Sequence, residues 1–415
     1  MANIHPFQPF RYTDKAGSLQ TLVTQPYDKI SPAMRSRYLS ENPYNLVRVV
    51  LGEHKPHDSE TDNVYTRATR FMEEWIAGEI LAQDSEPGVF PYFQEFVVPD
   101  TGERLVRKGF IALGAVEDYS AGVVYRHEQT LSGPKKDRRE LLRHTHTHFE
   151  PIFMLYEDPD GAIDALLDEA AARAALGEVT DEYGAIHRIW KIPGGARVRE
   201  LMAGKKLLIA DGHHRYETAM AFGKENPNLK GADRMMMSFV NMHSAGLKIL
   251  ATHRLVNGLD LAGNAEDFPE SFLRAAAKDF RVEEIQSVDV LKRAWRDDGE
   301  DRSIIGAAIG NRLFLLEDRT ARGELDVRIL HDRLLGRALG IGEEAVRDEK
   351  HLRYIRGIDA AVQEARNGAA QIAFLLKPTS IQQVADTSFG GGVMPQKSTD
   401  FYPKLLSGMT IYKLG

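Results

Sequence analysis

The stretch Lys205–Ala221, KKLLIADGHHRYETAMA, decides the fold. Leu207 to Ala210 is a short apolar run of the kind that fills a buried strand. Asp211, Gly212, His213, His214 and Arg215 interrupt it with a polar turn, and from Tyr216 the pattern predicts a helix. A strand that feeds a glycine-containing, cation-rich turn into a helix N-terminus makes an anion site. Unpaired backbone N–H groups and the positive end of the helix dipole converge there. Gly212 lets the main chain approach a ligand closely, and Arg215 can fork two hydrogen bonds onto a phosphate. Asp211 is a carboxylate placed where anions should gather, which fits holding a metal ion or taking a proton from a hydroxyl. A solvated turn whose aspartate caps the helix is the plainer alternative.

Around this stretch, 415 residues exceed one ordinary core, so two or three domains, or one two-lobed body, are expected. Hydrophobic content of 43% beside 27% charged residues places the chain among soluble globular proteins. A net charge of −7 and a pI near 6.1 speak against a dedicated nucleic-acid binder, which presents a basic surface. No window reaches about 18 uncharged apolar residues, so no membrane span is expected. The opening MANIHPFQPFRYTDKAG lacks the apolar centre of a signal peptide. With no Cys there are no disulfides, thiolate metal ligands or cysteine nucleophile, and a cytoplasmic enzyme is the expectation.

Upstream, TLVTQPYDKI (21–30) reads as a strand turned by Pro26, Ser31-Pro32 opens a helix closed by Asn42-Pro43, and Asn45–Leu51 reads as a strand. Asp62–Ile80 is an amphipathic helix, Phe90–Phe96 and Arg104–Val116 a hairpin, and Asp137–Arg143 a helix. Pro151–Tyr156 and Ile186–Ile192 are strands, with a helix over Ala162–Leu176 between them. Downstream, Met235–Asn241 and Leu247–Thr252 are strands. Near residue 258 the texture changes, with helices at Glu266–Asp279, Asp289–Trp295 and Val327–Ala338 among strands at Ser303–Ile309 and Arg312–Leu316. A strand at Gln371–Leu376 and a helix from Ile381 follow. The expected division is a core lobe over 1–257 and a C-terminal α/β lobe over 258–415, whose tail can return to the active cleft; the fold class is mixed α/β.

Three further groupings could carry chemistry. Arg126, His127, Glu128 and Thr130 follow a strand end: Glu128 could serve as a general base, and Arg126 or His127 could hold phosphate oxygens. A solvated charged loop is the alternative. His144, His146 and His148 alternate, as three imidazoles on one strand face would for zinc or another transition metal. The run Lys135–Arg139 reads as the solvated face of a helix that buries Leu141 and Leu142. Lys397-Ser398-Thr399 follows a triple-glycine loop without the spacing of a P-loop.

The strings QPYDKI (25–30), RHEQT (126–130), ADGHHRYETA (210–219) and MPQKSTDFYPKLLSG (394–408) resemble the signature blocks of the domain-of-unknown-function 1015 family, often labelled similar to chromosome-partitioning ParB proteins. The resemblance runs nearly end to end. The Asp211–Arg215 turn also resembles the phosphate-binding G-x-x-R turn of the ParB/sulfiredoxin-like fold, with Gly212, Arg215 and Ala219 on its pattern. DGHHR resembles the same string in free-serine kinases built on that fold. The resemblance implies a ParB/sulfiredoxin-like nucleotide-binding core with insertions. Gly212, His213, His214 and Arg215 would meet phosphates, with Arg126 and Thr130 beside them. Asp211, Glu128 and His127 would be catalytic, Asp211 also holding Mg²⁺. The HTHTHFEPIF segment departs from the family's run, which places the roles of His144, His146 and His148 in doubt.

Phosphoryl transfer needs what these blocks supply: cations and amides for the phosphates, a carboxylate for Mg²⁺, and a second carboxylate for the attacking hydroxyl. A small amino-acid acceptor needs a carboxylate clamp, for which Arg48 or Lys397, Ser398 and Thr399 are the candidates. The expectation is a Mg²⁺-dependent kinase using ATP or ADP to phosphorylate a free amino acid, foremost L-serine, with no membrane partner and with its oligomeric state open, a homodimer included. A ParB-like nucleotide-binding regulator is one alternative, separable by a mobility shift with random DNA. A metal-dependent phosphohydrolase or nuclease using Asp211, His213, His214 and His127 is the other, separable by metal analysis.

Overall fold

The structure is a computed structural model that describes residues 2–128, 132–259, 267–298, 302–318, 320 and 323–415, without the side chains of 132–134 and 298. The chain separates into two compact units, Met1–Lys248 with Phe401–Gly415, and Ile249–Asp400. The boundary falls ahead of the texture change near 258, and residues 401–415 join the first unit.

In the first unit, ten strands among the described residues form one sheet. Its hairpin is β1 (Gly88–Val97) and β2 (Arg104–Ala115), joined through the turn at 99–102. Then come β3 (Val124–Tyr125), α1 (Ser132–Thr145), β4 (Ile152–Tyr156), β5 (Gly177–Thr180), β6 (Ile186–Ile189), β7 (Leu207–Asp211), α2 (His213–Glu225) and β8 (Arg234–Asn241). The order across the sheet is β3-β7-β4-β8-β2-β1-β6-β5. The apolar runs IFMLY and LLIA belong to central strands, which explains why they do not alternate. Ile152, Met154, Ile209, Met237 and Phe239 share a core with Tyr216 and Ala219 of α2. Each of the Ile, Met and Phe side chains stabilises the fold by about 1.5–3 kcal/mol on burial.

Sheet direction sets up the site. β7 runs parallel to β3, with Leu207 opposite Val124, and antiparallel to β4. The carboxyl ends of β3 and β7 and the amino end of β4 therefore share one edge. Residues 126–128, Glu150-Pro151 and Asp211-Gly212 all emerge there, where open α/β sheets bind ligands.

The second unit has its own six-stranded sheet, antiparallel throughout its described pairings. Its order is Arg281–Ile285, Arg312–Asp318, Ser303–Ile309, Ile372–Leu375, His253–Val256, Leu352–Ile355. The helix expected over Val327–Ala338 is present as α-helix Asp326–Ile329 continued by a π-helix at Leu330–Ala338. No described helix is long and apolar enough to cross a membrane.

Four expectations need correction. Asn45–Leu51 is no strand: Val47–Val50 is helical. The Asn45 side chain accepts the Val47 N–H at 2.9 Å and so starts a turn, which carries Leu46, Val49 and Val50 into one core with Met72 and Trp75. TLVTQPYDKI is no strand: Thr21 ends the 3-10 turn Leu19–Thr21, Thr24 alone is bridged to Ser407, and Tyr27–Lys29 is a second 3-10 turn. Between 247 and 252 only Lys248–Ile249 is strand. The three histidines do not share a strand face, because α1 continues through Thr145. His144 is helical and bonds the Glu140 carbonyl, His146 has φ +48°, and only His148 lies in a strand, Thr147–His148.

Candidate functional site

The helix begins at His213, three residues before the expected Tyr216. Gly212 is the reason. It is the N-cap with φ +98°, a conformation L side chains rarely adopt. A Cβ there would lie 2.8 Å from Ile152 Cδ1 and 3.0 Å from Arg215 Nη2. Gly212 has no side chain with which to cap α2, whose first turn stands at the carboxyl edge of the sheet. Asp211 is aimed by a bulge: Ile209 pairs with Met154 but Asp211 with Phe153, so Ala210 is the extra residue.

Four sequence blocks meet around this turn. Lys404 donates to Asp211 Oδ2 at 2.7 Å. Arg215 Nη2 stands 3.9 Å from Asp211 Oδ1, and its Nε is 3.4 Å from Glu150 Oε2. Arg215 Nη1 donates to the Pro151 carbonyl at 2.9 Å. Glu150 Oε1 accepts from the Tyr27 N–H and from Ser407 Oγ, both at 3.0 Å. Pro26, Glu150, Pro151, Phe153, Asp211, Arg215, Lys404 and Leu405 line a small cleft with about 10 Å³ of enclosed space. That is the room of about one water molecule, so a ligand group would meet these side chains at the cleft's mouth.

Burial works to raise the Asp211 carboxyl, and the charges of Lys404 and Arg215 more than offset it, holding the group well below the usual carboxylate range. Its side chain is 32% exposed and that of Lys404 11%, so this ion pair sits at the mouth of the cleft. Burial works to lower Arg215, and the Glu150 and Asp211 carboxylates outweigh it, so the guanidinium stays charged.

The Arg126–Glu128 block lies against the turn. His127 is wholly buried; its Nδ1–H donates to the Ile209 carbonyl at 2.8 Å, and its main-chain N–H donates to His213 Nε2 at 3.4 Å. The two imidazoles meet edge to face at 4.7 Å. Burial pushes His127 down to about 4, and burial with the neighbouring His127 pushes His213 well below its ordinary value. Both rings are neutral near pH 7 and act as struts between β3 and α2. Glu128 follows, half-buried, and Arg126 is exposed, lying over the Tyr119 ring with Glu217 at 3.5 Å.

Thr130 lies outside the described residues. Arg48 Nη2 donates to the Leu39 carbonyl at 2.7 Å, near the end of the helix Pro32–Glu41. Lys397, Ser398 and Thr399 belong to the second unit. There the Lys397 carbonyl accepts from Arg254 at 2.8 Å, and Ser398 Oγ donates to Pro395 O at 2.6 Å. Sequence reasoning missed Glu150 and Lys404 as site residues. Both stand in the strings HTHTHFEPIF and MPQKSTDFYPKLLSG, yet a carboxylate and an ammonium remote in sequence from the turn carry no local mark of their partner.

The family model described as a protein of unknown function (DUF1015) matches residues 4–331. The chain belongs to this family. A search of curated proteins finds no match. Among solved structures, the family member is similar to a free serine kinase in complex with AMP, at 14% identity over 69% of this chain and 89% of that one, TM-score 0.37. It is similar also to a conserved hypothetical protein from Pyrococcus furiosus, at 16% identity over 68% and 87%, TM-score 0.36. A third is C-terminally truncated SbnI from Staphylococcus aureus, at 12% over 72% and 85%, TM-score 0.37. Likeness at this level decides neither substrate nor activity.

Proposed function

We propose that this chain is a nucleotide-dependent phosphotransferase that moves a phosphoryl group onto the hydroxyl of a free amino acid, L-serine first among the candidates. The observation that carries the reading is the start of α2 behind Gly212, beside a cleft where Asp211, Lys404, Arg215 and Glu150 alternate in charge. Such a place offers amides and cations to phosphate oxygens and a carboxylate to whatever accompanies them. The resemblance of DGHHR to the free-serine kinase string adds the acceptor class.

In this reading the first-turn N–H groups of α2 and the Arg215 guanidinium hold the transferred phosphoryl group, and Lys404 offsets its charge. Glu128 accepts the acceptor's hydroxyl proton. The hydroxyl oxygen bonds to phosphorus, the bond from phosphorus to the nucleotide's bridging oxygen breaks, and that electron pair leaves with the nucleotide. His127 and His213, neutral and buried, fix the backbone that carries Glu128. Among the described residues no group of three or more His, Cys, Asp or Glu could hold a metal ion alone. Asp211 fits the usual manner of Mg²⁺, which takes about one or two carboxylates and completes its shell with substrate phosphates and water. When bound it would neutralise charge developing on the phosphates.

The test is to incubate the protein with Mg²⁺, separately with ATP, ADP and GTP, and a pool of free amino acids, then read products by mass spectrometry. A phosphorylated hydroxy-amino acid that depends on nucleotide is the expected result. No product with any donor, together with no nucleotide binding by calorimetry, would overturn the reading.

A further inference from the structure

Arg107, in β2, is among the most deeply buried side chains of the first unit, at 1% exposure, and no carboxylate of the described residues pairs with it. Its acceptors are all neutral. Nε donates to Gln94 Oε1 at 2.9 Å, Nη1 to the Tyr402 carbonyl at 3.1 Å, and Nη2 to Gln94 Oε1 and the Pro403 carbonyl. The guanidinium also lies 4.6 Å from the centroid of Phe153, whose ring lines the cleft. Burial pushes Arg107 down to about 9, which leaves it charged near pH 7.

A buried cation that no carboxylate bonds directly, and that Asp211 attracts only through space, is a costly way to fill a core; a hydrophobic side chain of similar length would fill it better. What the charge does here is specific. Gln94, oriented by Arg107, passes its own amide to the Lys404 carbonyl at 2.8 Å. Three consecutive carbonyls, those of Tyr402, Pro403 and Lys404, are thus held from below by one guanidinium and the amide it orients. Lys404 is the residue whose ammonium meets Asp211.

We infer that Arg107 is the positioning residue of the cleft: by fixing the carbonyls of 402–404 it sets the Lys404 ammonium on Asp211. It touches no reacting atom and acts through Lys404. The inference rests on the reading of Asp211 and Lys404 as phosphate-site groups only for its catalytic consequence; the placement of Lys404 stands apart from it.

The experiment compares wild type with Arg107→Met, Arg107→Lys, Lys404→Ala and Arg107→Met/Lys404→Ala in two measurements. The first is the rate at which an amine-acylating reagent labels Lys404 in the native protein, read by peptide mass spectrometry against the exposed Lys15 as internal standard. Loss of the anchoring should raise the labelling of Lys404 in Arg107→Met by about tenfold, the scale of one charge-assisted hydrogen bond, and Arg107→Lys should restore part of the protection. The second is affinity for ADP and ATP. Arg107→Met should lose as much as Lys404→Ala, and the double variant no more than either.

Unchanged labelling of Lys404 in a folded Arg107→Met protein would overturn the inference, whether or not nucleotide binds. Additive losses of affinity would overturn it as well, since Arg107 would then act independently of Lys404. Should Arg107→Met fail to fold, Arg107→Lys alone decides: it must label Lys404 faster than wild type while keeping the wild-type far-ultraviolet dichroism. If wild type binds no nucleotide but labelling responds as expected, the phosphotransferase reading fails and the positioning role survives.

Discussion

Acid should loosen the first unit at the β7–α2 turn, and His127 should account for a defined share of the loss. Its imidazole is wholly buried, with Nδ1–H committed to the Ile209 carbonyl, and burial holds it at about 4 against an ordinary value of 6.5. The neutral form is therefore the one the fold accepts. Above pH 6.5 neither the folded nor the unfolded ring binds a proton, and stability is unaffected. As pH falls below 6.5 the unfolded ring takes up a proton that the folded ring refuses, and stability is lost until about pH 4. Each pH unit across that window is worth about 1.36 kcal/mol, so the full loss is about 3.4 kcal/mol, of which about 2 kcal/mol is reached by pH 5.

His127→Asn isolates that share. The asparagine amide can replace Nδ1–H as donor to Ile209 but does not titrate. The variant should start less stable at pH 7, having lost ring contacts with His213 and Phe401, yet lose about 2 kcal/mol less than wild type between pH 7 and pH 5. Amide hydrogen exchange over peptides spanning 207–225, corrected for the intrinsic pH dependence of exchange, reads the local opening free energy without assuming that the two units unfold together. His148, which burial also pushes to about 4, contributes equally in both proteins and cancels, whereas His213, relieved of His127 in the variant, resists its proton less there and adds to the difference in the same direction. Equal pH dependence in wild type and His127→Asn would refute the reasoning, since the ring would then carry its proton in the folded state as readily as in the unfolded one.

Other outcomes follow from the same geometry. Asp211→Asn should abolish phosphoryl transfer while shifting stability by no more than about 1 kcal/mol, because the carboxylate is partly exposed and its pair with Lys404 is partly screened; product formation at the wild-type rate removes Asp211 from the mechanism. Arg215→Ala should weaken nucleotide binding and also destabilise the first unit by about 1–3 kcal/mol, since Glu150, 6% exposed, loses its cation; urea denaturation at pH 7 that matches wild type would count against it. Gly212→Ala should cost about 1–3 kcal/mol from the positive φ and the approach to Ile152, and it should lower nucleotide affinity by displacing the α2 amides; an unperturbed melting temperature would show that the turn relaxes freely.

How far the sequence discloses all this depends on where the information lies along the chain. The strand–turn–helix at 207–225 is legible because its whole cause is local: an apolar run, a glycine that must take φ +98°, and a helix pattern behind it. Even there the onset is displaced to His213, because the glycine caps the helix through its conformation and leaves no side-chain signature. Asn45–Leu51 misleads for the opposite reason. VRVV has every local preference of a strand, and only the Asn45 side chain, folding back on Val47 while reaching Thr21, turns it into a helical corner over Trp75. The alternating histidines mislead in the same way, since a helix that buries Leu141 and Leu142 overrides the two-residue period.

The site itself is split between these cases. Asp211, Gly212 and Arg215 are visible as a motif. Glu150 and Lys404, which give Arg215 and Asp211 their partners, come from segments that are 61 and 193 residues from Asp211 along the chain, by subtraction of the residue numbers. No periodicity relates them. Their meeting is dictated by β4 running antiparallel to β7, which returns Glu150 to the carboxyl edge, and by the tail being held from beneath by Arg107 and Gln94. A charge that must be placed to within a hydrogen bond's length is fixed by the sheet's direction and by buried donors, and those are properties of pairing. The chain records the residues that pair, but the pairing exists only in the fold.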